Sequence, residues 1–239
     1  MRQQPDLKVA ARPSRRGRKP AKAKVYPAQS LRDAAYEAIK HRIITLAFKP
    51  GEYVNELQLS AMLGIGRTPV HLAIDRLMLE GLVEVIPRKG IIVKPLSLSE
   101  VLEIIEIRLL NEGFCLRRVA ERASEKDIIA LGEILDRAKS FTQKRDVEQM
   151  MLLDREFHLQ LARLQGNQVL EDVLLNLIER SLRFWFISLN APQHFESVQE
   201  EHDAILAAVQ NRDPDAAERA MQLHIESFRS TLLRYLQQG

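Results

Sequence analysis

The sequence holds a single cysteine, Cys115, so no disulfide can form within the chain, and the pattern suits a reducing compartment. Cys115 itself reads as a small buried hydrophobe. No uninterrupted apolar run approaches the ~20 residues that cross a bilayer, and the N-terminus lacks the apolar core of a signal peptide. These absences predict a soluble, cytoplasmic protein with no membrane partner. Also missing are a nucleophile elbow and a separate acid/base motif, which weighs against catalysis. After about residue 96 there is no strand pattern.

What is present is unevenly distributed. The 239 residues are enough for two domains with a real core. Net charge is +3 overall. Residues 1–24 carry nine Lys/Arg and one acid, residues 25–95 nine and seven, and residues 96–239 seventeen and twenty-four. A basic front and an acidic back suit a chain that presents one end to a polyanion. Residues 1–30 are rich in Lys, Arg, Ala and Pro with almost no large apolar side chains, a composition that predicts a disordered basic tail. Within it, Arg15-Arg16-Gly17-Arg18-Lys19-Pro20 resembles an AT-hook, which would place Arg16 and Arg18 in a narrow A·T minor groove. An unspecific basic arm that touches phosphate is the alternative reading.

Residues 31–95 read as a winged helix-turn-helix. Leu31 to Ala47 predicts a first helix, stopped by Pro50-Gly51. Glu56 to Leu63 carries Leu57, Leu59 and Leu63, Gly64-Ile65-Gly66 interrupts, and Thr68-Pro69 restarts a helix with a cap and a proline at its first position. On that second helix Val70, Ala73, Ile74 and Leu77 share one face, which leaves His71, Leu72, Asp75 and Arg76 for a major groove. Gly81 ends the helix. Val83 to Ile86 and Ile91 to Val93 then predict a hairpin whose turn, Pro87-Arg88-Lys89-Gly90, has two cations at its tip. Arg67, Thr68, Arg76, Arg88 and Lys89 are candidates for phosphate and base contacts, and His71 can donate to a guanine or adenine edge.

From residue 96 to 239 the pattern is wholly helical. Helices are expected at about 99–122, 125–143, 147–164, 168–190, 196–210 and 214–237, with Ser97 and Glu100 at capping-box spacing and Pro192 in a loop. Short connections make these an antiparallel bundle. Asp154 and His158 share a face with Met151 and Leu161; His202 falls among Val198, Ile205 and Val209; His224 falls among Ala217, Met221 and Phe228. Three helices thus aim metal-competent groups at one apolar interior, and a shared divalent cation satisfies all four at once. Zinc, nickel, manganese and iron all suit three imidazoles and a carboxylate. Such a site leaves coordination positions open, and a catalytic metal centre is the less favoured alternative.

Two stretches resemble known families. Leu63 to Val70, with Arg76-Leu77 and Glu80-Gly81-Leu82-Val83, is similar to the DNA-binding domain of GntR-family bacterial transcription regulators, from about Leu31 onward. The sequence departs from that pattern at Leu57, Gly66, His71, Leu72 and Asp75, positions that bear on operator sequence. Asp154-Arg155-Glu156-Phe157-His158, Glu201-His202-Asp203-Ala204-Ile205-Leu206 and Met221-Gln222-Leu223-His224 resemble the motif of the FCD domain in the FadR branch. The resemblance implies a homodimer on double-stranded operator DNA, controlled by a small organic acid held at a metal. It also matches Arg108 to an arginine on the bundle's first helix that can grip a carboxylate; a salt bridge to Glu112 is the alternative. Asn167 and Arg183 are further candidates for contact with the effector. A regulator in which the ion itself is the signal stands as the runner-up.

Overall fold

The computed structural model describes residues 30–189 and 192–237. Its first elements are α1 (Leu31–Ile44), β1 (Tyr53–Val54), α2 (Glu56–Leu63), α3 (Arg67–Leu79), β2 (Val83–Ile86) and β3 (Gly90–Val93). The strands form an antiparallel sheet in the order β1-β3-β2, with Tyr53 opposite Ile92 and Val83 opposite Val93. Ala35, Tyr36, Ile39 and Ile43 of α1, Leu59 of α2 and Val70, Ala73, Ile74 and Leu77 of α3 bury one shared core. Each such aliphatic side chain stabilises by roughly 1.5–3 kcal/mol, so packing and not intrinsic propensity holds these short helices.

Several boundaries differ from the sequence expectation. The first helix stops at Ile44, not Ala47. Leu46 turns left-handed (φ 60°) and the Phe48 N–H donates to the Arg42 carbonyl at 2.9 Å, which closes the helix before the proline is reached. Helix α3 starts at Arg67 with Gly66 as its cap and no side-chain capping bond. Thr68 is therefore its second residue and Pro69 its third, a position where the missing N–H costs nothing because first-turn amides have no intrahelical partner. The strand β1 is an addition; two residues carry no alternation, and only pairing with β3 defines it.

The remaining helices are α4 (Leu98–Arg122), α5 (Glu125–Thr142), α6 (Val147–Leu164), α7 (Gln168–Ser188), α8 (Pro192–Gln210) and α9 (Pro214–Gln237). Pro192 begins α8 where a loop was expected; proline is at home in a first turn. The Ser97 hydroxyl caps α4 by accepting the Glu100 N–H at 3.3 Å. The reciprocal half of the capping box is not made, because the Glu100 carboxylate goes to Arg180 at 2.5 Å. Val101, Ile105, Leu116 and Val119 on α4 sink into a second core shared by all six helices. Among the described residues no helix is long and apolar enough to cross a membrane.

Candidate metal centre and nucleic-acid interface

Asp154 and His158 on α6, His202 on α8 and His224 on α9 converge, all buried, with one ligand atom from each within 4.8 Å of the others. Their contacts show what the cluster is short of. His158 Nδ1 lies 2.6 Å from Glu112 Oε2, and His224 Nδ1 lies 2.8 Å from Glu201 Oε2. Burial acts to raise the Glu112 carboxyl, but Arg108 and His158 outweigh it and hold the group well below the usual carboxylate range. An ionised carboxylate only accepts, so the Nδ1 of His158 donates, which in the neutral ring puts the lone pair on Nε2. The same pairing at Glu201 gives His224 that tautomer. Those two Nε2 atoms face each other at 3.2 Å. Two lone pairs at that distance repel unless a proton or a cation lies between them.

The other two groups add to the deficit. His202 Nε2 and Asp154 Oδ1 are 3.1 Å apart, yet both are buried without a hydrogen-bond partner. Burial raises the Asp154 carboxyl, but the three imidazoles outweigh burial and leave it below its ordinary value. Burial lowers the His224 imidazole to about 4, against an opposing pull from Glu201, so it is neutral at ordinary pH. Three carboxylates (Asp154, Glu112, Glu201) against one guanidinium (Arg108) leave an excess of formal negative charge around the imidazoles. A divalent cation balances that charge and partners the orphaned atoms, and the donor set fits one. Phe157 packs on His202 at 4.9 Å and Trp185 meets His224 edge-on at 5.3 Å, walling the cluster with apolar rings.

Arg108 is buried beside this cluster. Its Nε donates to Glu112 Oε1 at 2.5 Å and its Nη1 to Ser181 Oγ at 3.0 Å. It thus holds the carboxylate that orients His158, an ion pair of the interior and not of the surface. The other two effector candidates lie elsewhere. Asn167 is exposed and caps α7, its Oδ1 accepting the Val169 and Leu170 N–H groups at 3.1 and 3.3 Å. Arg183 is buried and donates to the Lys94 carbonyl at 2.6 Å, in the segment that follows the wing. Glu112 and Glu201 were not singled out from the sequence. Glu112 read only as a partner four residues after Arg108, and Glu201 reaches His224 on a different helix, which no spacing within one helix reveals.

On the other module the outward face of α3 carries Arg67, Thr68, His71 and Leu72, all exposed. His71 Nδ1 is 2.7 Å from Glu56 Oε1 and its Nε2 is 3.6 Å from Asp75 Oδ2. Arg88, at φ 65°, and Lys89 project from the β2–β3 turn, and like Arg67 they have no ion-pair partner among the described residues. Arg76 differs: its guanidinium lies 3.6 Å from the Tyr36 ring centroid and its Nε donates to Glu80 at 3.2 Å. Arg16 and Arg18 lie outside the described residues.

The family model for bacterial regulatory proteins of the gntR family matches residues 31–93, and the FCD domain model matches residues 103–227. The chain belongs to the GntR family, in the branch with an FCD domain. It is a transcription regulator and not an enzyme. Among GntR relatives, the HTH-type transcriptional repressor RspR of Escherichia coli K12 is 26% identical over 213 residues, 89% of this chain and 93% of that protein. The Uxu operon regulator of Haemophilus influenzae is 32% identical over 198 residues, covering 74% and 72%. The Nta operon transcriptional regulator of Aminobacter aminovorans is 27% identical over 195 residues, covering 81% and 90%. Of solved structures, E. coli McbR/YncC superposes with a TM-score of 0.78 at 24% identity, over 88% of this chain and 99% of that one. That likeness speaks for the fold.

Proposed function

We propose that this GntR regulator binds a pseudo-palindromic operator as a cytoplasmic homodimer, and that a small organic acid bound at a divalent metal in the bundle sets its affinity. The carrying observation is the buried meeting of Asp154, His158, His202 and His224 with two Nε2 lone pairs and an orphaned carboxylate oxygen turned inward. These four would hold the ion, whose open coordination positions supply a Lewis-acidic seat for an effector carboxylate. Glu112 and Glu201 fix two of the rings, and Arg108 keeps Glu112 in place. Arg67, Thr68, His71, Arg88 and Lys89 supply the DNA contacts. Elemental analysis of His158→Ala, His202→Ala and His224→Ala is the test: each lowers bound metal and the response to the acid, while basal DNA binding survives. A folded, metal-free triple variant that still responds normally sinks the reading.

One observation favours the ion itself as the signal. Arg108 is already ion-paired with Glu112 through Nε and bonded to Ser181 through Nη1, so an effector carboxylate competes with Glu112 for it. Titrating divalent metals and small carboxylates separately into an operator gel shift distinguishes the two.

For the dimer, Ile107, Leu110 and Phe114 of α4 and Val169 and Val173 of α7 are all more than 40% exposed. Arg180 of α7 donates to Glu100 of α4, so the two helices are neighbours, and their exposed apolar residues make up the candidate face. We assign a second copy to this face, because a two-fold operator requires a two-fold protein. Leu110→Glu is expected to give a monomer by light scattering; an unchanged dimer moves the interface elsewhere.

A further inference from the structure

We propose that Glu179 is a positioning residue for DNA recognition, through which the helical bundle fixes the orientation of α3. The observation is a buried ion cluster between the two modules. Lys40 of α1 is 3% exposed. Its Nζ lies 2.7 Å from the Tyr36 hydroxyl, 3.0 Å from Glu80 Oε2 and 2.7 Å from Glu179 Oε2. Two of the three ammonium donors are engaged, by Tyr36 and Glu80, and the Glu179 carboxylate stands beside the same charge as an ion-pair partner whose Oε2 makes no hydrogen bond. Tyr36 and Glu80 belong to the DNA-binding module and Glu179 to α7.

The DNA-side acceptors lead directly to the recognition helix. Glu80 stands at the C-terminal end of α3, accepts the Tyr36 hydroxyl at 2.7 Å and holds Arg76 at 3.2 Å, while the Arg76 guanidinium stacks on the Tyr36 ring. Burial and Glu80 both push the Tyr36 phenol far up, so it stays a donor. On the bundle side, Glu179 accepts Arg155 Nε at 2.8 Å. Arg155 follows Asp154, so α6 carries two groups of the histidine cluster on its inner face and a clamp on Glu179 on its outer one. One turn further along α7, Arg183 grips the Lys94 carbonyl just after the wing. The same face of α7 thus holds both the first helix and the exit from the wing.

Displacing Glu179 takes the bundle's carboxylate away from a buried ammonium and leaves that charge less compensated. Glu80 and Tyr36 must then move to compensate, and α3 with its Arg76 moves with them. The inference stands whichever ion, if any, the histidine cluster holds.

The test uses the full chain and a duplex selected from a random pool by the wild-type protein, with a scrambled duplex as reference at one fixed salt. Affinities of wild type, Glu179→Gln, Lys40→Met and the double variant are measured on both duplexes, with circular dichroism to confirm folding. The operator-to-scrambled affinity ratio is expected to fall about tenfold in Glu179→Gln, at least as far in Lys40→Met, which also loses Tyr36 and Glu80, and no further in the double than in Lys40→Met, because the Lys40–Glu179 pair is then already gone. Binding to the scrambled duplex, which reads phosphate alone, stays at the wild-type value. A folded Glu179→Gln with the wild-type ratio overturns the proposal, as does a double variant whose loss is the product of the two singles. Should Glu179→Gln not fold, Arg155→Met decides: it removes only the outer clamp and lowers the ratio about threefold, and a wild-type ratio again overturns the proposal.

Discussion

A carboxylate on the far nitrogen of a ligating histidine fixes its tautomer and ring and raises its basicity, and Glu112 and Glu201 hold that place on His158 and His224, the proposed ligands. Glu112→Gln and Glu201→Gln each keep an acceptor but lose the charge. Each is expected to weaken metal binding by roughly 10–100-fold with basal operator binding unchanged, measured by competition with a chromophoric chelator; full affinity in both would leave these residues merely structural. His71 gives a pH prediction. Its hydrogen bond to Glu56, with the charges of Asp75 and Glu56, raises it above the ordinary imidazole value of 6.5. The favourable pairing is therefore fully present below that value and is lost as pH rises through the folded midpoint above it. Glu56→Gln should lower the His71 midpoint in an NMR titration, and an unmoved midpoint removes Glu56 as the cause. At this scale the four cluster residues were legible because helical periodicity sets them on apolar stripes. Glu112, Glu201, Lys40 and Glu179 were not, since charged groups on helix flanks are ordinary and their partners lie on other helices.

Elements were legible wherever periodicity or a cap marked them, and boundaries slipped where closure depends on distant chain. The helices of the bundle stand within a few residues of expectation, and Ser124 and Asp127 complete a capping box ahead of α5. Leu46, an apolar residue in a left-handed turn, gave no warning that α1 ends early, and Tyr53–Val54 became a strand only by pairing with β3. The wing shows what such pairing demands. Gly90 opens β3 at φ 108°, and a Cβ there would meet the Val54 carbonyl oxygen at 3.2 Å. Gly90→Ala therefore meets both a disfavoured backbone region and a close contact, and is expected to cost about 1–2 kcal/mol. Thermal unfolding of the full chain checks this; a melting temperature equal to wild type would mean the β3–β1 edge relaxes freely.

For the whole molecule, charge asymmetry is the property that the sequence displays most openly, and it carries a prediction independent of the bundle. Residues 25–95 have nine cations against seven acids, and on the folded module Arg76 is tied to Tyr36 and Glu80 while His71 faces two carboxylates. That leaves Arg67, Arg88 and Lys89 as the exposed cations of the recognition surface without an ion-pair partner among the described residues. Residues 1–24 bring nine cations and one acid in front of α1. Each phosphate neutralised contributes roughly −0.9 to the slope of log K against log salt, so a tail making about four contacts adds roughly 3 to 4 units. Deleting residues 1–24 should weaken operator binding strongly at low salt and flatten the salt dependence. If Arg16 and Arg18 enter the minor groove as in an AT-hook, the loss is larger on A·T-rich than on G·C-rich flanks, since only the former offers a narrow groove. Affinities of full-length and truncated protein on both flanks across a salt series separate the cases. Equal slopes exclude any role for the tail, and unequal slopes without flank preference leave it a plain polycation that follows the backbone.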